Sequence, residues 1–120
     1  MIRSLILSLA VLLPTTQAFA QPPEIVAATA TKSGMGWRIE VTLKHPDTGW
    51  DHFASGWEVR DESGTLLGFR KLHHPHVNEQ PFSRSLPSVM IPDGIRRVVI
   101  RAFCSHDDEV SAPFEMTLVP

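Results

Sequence analysis

Three histidines fall within four positions in Leu72-His73-His74-Pro75-His76-Val77-Asn78-Glu79-Gln80-Pro81-Phe82. Neutral imidazole is a ligand for zinc, copper and nickel. An extended segment puts His74 and His76 on the same side, and Pro75 between them stiffens the pair and lowers the entropy lost on binding. A third ligand has to come from elsewhere in the chain, His52 or His106, with a carboxylate or Cys104 as a fourth. The expected metal donors are His52, His73, His74, His76 and His106, and the expected ion is copper or zinc. The spacing matches no zinc-finger or zincin pattern. The competing expectation is a loop ordered by imidazole hydrogen bonds to its own backbone and to neighbouring loops.

A second stretch, Gly49-Trp50-Asp51-His52-Phe53, places an acid beside a base. Neighbours on an extended chain point apart, and the nucleophiles at hand (Ser55, Ser105 and Cys104) lie in no nucleophile-elbow context. The chain is therefore not expected to be an enzyme. Trp50 and Phe53 either cap the core or stand exposed as a recognition patch. In the second case Trp50, Asp51, His52 and Phe53, with Asn78 and Glu79, form a binding surface for a small ligand or an envelope protein.

Cys104 is the single cysteine, so an internal disulfide is excluded. Its place after Phe103 and Ala102 predicts an inward, inert thiol, with metal ligation or an intermolecular disulfide as alternatives. Asp107-Asp108-Glu109 lacks the rest of a calcium loop and reads as a solvated acidic turn.

The elements that must position these residues follow a leader. Arg3, the apolar run Leu5 to Leu13, Pro14 and Ala18-Phe19-Ala20 have the form of a secretory signal peptide cleaved before Gln21. The apolar run is too short to span a bilayer. No cysteine follows the expected cleavage point, which argues against lipid attachment there. The mature chain, residues 21–120, is expected to be one soluble domain without a membrane span, in a bacterial periplasm or secreted. Eleven basic against thirteen acidic residues give a net charge of −2, or −3 without Arg3. That balance offers no electrostatic reason to expect nucleic acid as a partner.

Trp37, Ile39, Val41 and Leu43 alternate with Arg38, Glu40, Thr42 and Lys44, the pattern of a strand with one buried face. Weaker strands are expected over 24–32, 57–61, 65–72, 82–89, 97–103 and 111–119. Gly68 suggests an edge strand or a bulge in the fourth, and Pro87 an edge position for the fifth. Arg38, Glu40, Glu58, Arg97 and Arg101 are expected as outward charges. Seven short strands separated by turn signals read as an immunoglobulin-like or fibronectin-III-like antiparallel sandwich with Trp57 in its core; a small barrel is the alternative.

If each strand runs antiparallel to the one before, connections alternate between two ends. The short turns at 33–36, 61–64 and 92–94 share one end. The long loops share the other, and they carry all six histidines, including His45, together with Asp47, Asp51, Glu79, Cys104, Asp107, Asp108 and Glu109. Loops at one end of a rigid sandwich are where such folds carry function.

The combination of Gly49-Trp50-Asp51-His52, Trp57-Glu58-Val59 and the histidine stretch 72–82 resembles a family of small exported bacterial proteins of unknown function. The resemblance implies a compact periplasmic domain and no particular activity.

Overall fold

The computed structural model describes residues 10–14, 21–106 and 109–120. Most of the expected leader, and Asp107 and Asp108 of the acidic turn, lie outside these residues. Seven strands follow in order: β1 (Glu24–Ser33), β2 (Gly36–Lys44), β3 (Ala54–Asp61), β4 (Leu66–Lys71), β5 (Phe82–Val89), β6 (Arg97–Cys104) and β7 (Phe114–Thr117). They form two antiparallel sheets, β1-β2-β5 and β4-β3-β6-β7. Among the described residues no helix is long and apolar enough to cross a membrane.

The alternation in β2 makes the first wall of the core. Trp37, Ile39, Val41 and Leu43 are buried while Arg38, Glu40 and Lys44 are exposed. Opposite them stand Trp57 and Val59 of β3 and Val98, Ile100 and Ala102 of β6, all fully buried. Each large aliphatic side chain hidden this way is worth about 1.5–3 kcal/mol relative to an exposed one. Gly68, on edge strand β4, leaves the space into which Leu86 and Val89 pack; a Cβ there would lie 3.2 Å from Leu86 Cδ1. β5, with Pro87, is the edge of the three-stranded sheet.

Three details differ from the sequence reading. β3 begins at Ala54, three residues before Trp57, because Ala54 pairs with Cys104 across a register shift. β7 covers only Phe114–Thr117, while Ser111 extends the pairing by exchanging hydrogen bonds of 2.8 Å with Ala102. Glu58 lies on the outer face, as its alternation with Trp57 and Val59 requires, but is buried there, held by Arg60 at 2.8 Å.

The short turns do gather at one end. One cleft there joins Lys32 and Trp37 to Ile91 and Ile95, and another joins Asp61 and Glu62 to Gly94 and Arg97. The loops β2–β3, β4–β5 and β6–β7 meet at the other end. Phe53 and Ser105 exchange two hydrogen bonds (2.8 and 3.0 Å), and His45 N–H donates to Gln80 Oε1 at 3.0 Å.

Candidate metal centre at the loop end

The inward row of β2 does not stop at the end of the strand. His45 and Asp47 keep the parity of Trp37, Ile39, Val41 and Leu43, and their side chains are completely buried. Asp47 is the hub of the end. Its Oδ1 accepts from His45 Nδ1 at 2.5 Å and from the Ala54 N–H at 2.9 Å, and its Oδ2 accepts the His76 N–H at 2.7 Å. With the Nδ1 proton directed at Asp47, a neutral His45 ring would carry its lone pair on Nε2. That nitrogen is buried and has no hydrogen-bond partner among the described residues. A carboxylate fixing one imidazole nitrogen so that the other is free and basic is the arrangement that surrounds metal-bound histidine.

Three more donors stand close by. The inward row of β6, Val98, Ile100 and Ala102, ends in buried Cys104. The chain then turns back, and the Cys104 N–H donates to the Glu109 carbonyl at 3.0 Å, which brings Glu109 alongside. His52 comes from the β2–β3 loop, closed by Thr48 N–H to the His52 carbonyl (2.9 Å) and His52 N–H to the Gly49 carbonyl (3.2 Å). One donor atom from each of His45, His52, Cys104 and Glu109 lies within 4.8 Å of all the others. A four-coordinate ion with bonds of about 2.0–2.3 Å spaces its donors roughly 3.5 Å apart, so side-chain shifts of about an ångström close the shell.

The electrostatics of the cluster are uneven. His52 Nε2 meets Glu109 Oε2 at 2.9 Å. Together with the Cys104 thiol and, less, the Gln21 backbone N–H, this contact holds the Glu109 carboxyl at a pKa of about 2. Burial pushes the Cys104 thiol above its ordinary value, and the adjacent Glu109 adds to the rise. Glu109 is thus ionised and accepts from both neighbours, while the thiol keeps its proton.

The other residues singled out from the sequence are placed as follows. His106 is exposed at the rim, its ring 4.9 Å from that of His52. His73 and His74 are exposed and stand outside the four-donor group. His76 is also outside it, although its ring lies 4.5 Å from that of His74. It turns inward instead, stacked on Phe82 at 3.9 Å, with Arg84 Nη2 at 2.8 Å from its Nε2. Trp50 is 70 % exposed at the loop tip with its ring edge-on to Phe53 (5.6 Å). Asp51 is exposed and accepts from Thr48 at 3.3 Å. Asn78 and Glu79 are exposed, and Glu79 approaches Arg84 at 3.9 Å.

The sequence alone does not single out His45, Asp47 or Gln80. Gln80 clamps two loops, accepting from the His45 N–H and donating to the His76 carbonyl at 2.9 Å. The signal for His45 and Asp47 was their parity with the buried face of β2.

No protein-family model and no solved structure matches the chain. The chain is similar to a protein of Halomicrobium mukohataei named "Putative lipoprotein", with 36% identity over 95 residues. The match takes in 78% of this chain and 44% of that protein, so the chain spans less than half the length of the relative.

Proposed function

We propose that the chain is an exported, envelope-associated domain that binds one divalent ion, zinc or copper, through His45, His52, Cys104 and Glu109, and that it is not an enzyme. The observation that carries this reading is the buried Nε2 of His45, unpartnered among the described residues, oriented by Asp47 and accompanied by three further donors. Two neutral imidazoles, a thiolate and a carboxylate total two negative charges, which a dication neutralises in a buried place. Nitrogen and sulfur donors favour zinc or copper over magnesium or calcium. Ion binding would expel the thiol proton of Cys104, so affinity would rise with pH.

His45, Asp47 and Cys104 also have the residue types of a nucleophilic triad. Burial raises the thiol pKa here, whereas a nucleophilic cysteine needs it lowered and the sulfur reachable, which supports binding over catalysis. The strand order, with β3 and β6 paired inside the four-stranded sheet and β2 inside the other, supports an immunoglobulin-like or fibronectin-III-like sandwich. The envelope assignment draws on the leader read from the sequence and on the name of the relative. An interaction domain with purely structural histidines is the second reading, favoured by the exposed Trp50.

The test is calorimetric titration of the purified protein with zinc and with copper(II). We expect one ion per chain with Kd below about 1 µM. His45→Ala and Cys104→Ser should abolish it, and Asp47→Asn should weaken it by about 10–100-fold. A His73→Ala/His74→Ala variant should bind as the wild type does. Uptake that depends on His73 and His74 but not on Cys104 would sink the reading.

A further inference from the structure

Three imidazoles run from the surface into the interior at this end. His106 is exposed, the His52 side chain is 20% exposed, and the His45 side chain is fully buried. Successive ring centroids are 4.9 and 4.6 Å apart. The four-donor group includes the inner two rings and leaves out His106. Yet His106 is tied to the group through its backbone. Its carbonyl accepts the Glu109 N–H at 3.1 Å. The ring is thus held at the rim by the same turn that supplies two of the donors.

Resting on the metal reading above, we propose that His106 is the capture ligand of this centre: it takes the ion from solvent, passes it to His52 and His45, and does not hold it afterwards. A buried metal site needs a path inward. A bare dication cannot reach the fully buried His45 side chain unligated, because losing its water shell without replacement is far too costly. Neighbouring imidazoles remove that barrier. At each step a new metal–nitrogen bond forms as an older metal–ligand bond, to water or to the outer ring, breaks. When the ion reaches the inner group, the Cys104 thiol proton leaves to solvent and the thiolate completes the set. Release follows the same steps in reverse, so His106 governs rates in both directions and leaves the equilibrium nearly untouched.

The experiment is stopped-flow uptake of zinc by the full protein, and its removal by excess chromogenic chelator, in wild type and His106→Ala. Association and release should both slow by about tenfold, with Kd held within about threefold. Free imidazole added to His106→Ala should restore much of the rate, a rescue that a merely structural residue would not show. Unchanged rates would overturn the proposal. So would a loss of affinity comparable to that of His45→Ala, because His106 would then be a resident ligand. A wild type that takes up neither zinc nor copper(II) would overturn the metal reading itself and this proposal with it. Zinc uptake by wild type with normal rates in His106→Ala would remove only the capture role.

Discussion

His76 shows how a single imidazole in this cluster is committed to one protonation state. Its ring lies nearly parallel to Phe82, at 9°, and Arg84 points a donor at Nε2. A guanidinium has only donors, so Nε2 must be the acceptor and the ring proton must sit on Nδ1. That Nδ1 is 4.0 Å from Asp47 Oδ2 and has no hydrogen-bond partner among the described residues. Burial, then the Arg84 charge, lowers the His76 pKa from its ordinary 6.5, and Asp47 offsets this only in part. The sign for stability follows. Below pH 6.5 the unfolded chain takes up a proton that the folded ring resists, so the unfolded state binds more protons and stability falls on acidification. The loss begins near pH 6.5 and is complete once the pH is below the folded value. Nitrogen-15 NMR of the histidine rings should find His76 as the Nδ1–H tautomer with a pKa under 6.5, moving upward in Arg84→Met. A ring that titrates at or above 6.5 would contradict the geometry.

At the scale of the element, the site depends on an irregularity in β3. The register against β6 slips between Ala54 and Gly56, so Ser55 is an extra residue. Without the slip, inward parity would run from Val59 and Trp57 to Ser55 and Phe53. With it, Ala54 faces inward opposite Cys104, and His52 follows on the same side. Bulges next to functional sites commonly re-aim a side chain in this way. Gly56 permits this one, since a Cβ there would come within 2.9 Å of both the Arg70 carbonyl and the Phe69 ring. Gly56→Ala should therefore destabilise the protein by about 1–3 kcal/mol, the cost of overpacking. It should appear in urea unfolding as a lower midpoint at unchanged slope, and a variant as stable as wild type would show that Phe69 moves aside freely. The same irregularity explains what the sequence could tell. The buried faces of β2 and β6 were legible from alternation, and the inward orientation of Cys104 followed from Ala102. His45 and Asp47 continue the β2 alternation, but Pro46 and Gly49 disguise the segment as loop. His52 was beyond reach as a partner of Cys104, because parity breaks at Ser55 without a hydrophobic mark. His73, His74 and His76 drew attention by proximity in sequence, whereas the contact that sets His76, with Asp47, spans twenty-nine residues.

For the molecule as a whole, the loop end is a stability problem that an ion would relieve. The domain has no disulfide, since Cys104 is the single cysteine. Among the described residues, His45 Nε2, His76 Nδ1, Trp57 Nε1 and Arg70 Nε are buried without partners. An unsatisfied buried polar atom costs about 1–3 kcal/mol, a large share of the total stability of a domain this size. An ion at the four-donor group would give the His45 nitrogen its partner and tie the β2–β3 loop to the β6–β7 loop. Binding to the folded state alone adds about 2.7 kcal/mol when the free ion is at roughly 100 times its Kd. For a domain of this length that corresponds to a rise in Tm of roughly 10–20 °C. Differential scanning calorimetry with buffered zinc or copper(II) should show this rise in the wild type and not in Cys104→Ser. His73 and His74, exposed and outside the group, provide the internal control: their replacement should leave the shift intact. A shift that survives in Cys104→Ser would mean that the ion stabilises the fold from somewhere else on the surface. The buried donors would then be a polar core rather than a metal centre.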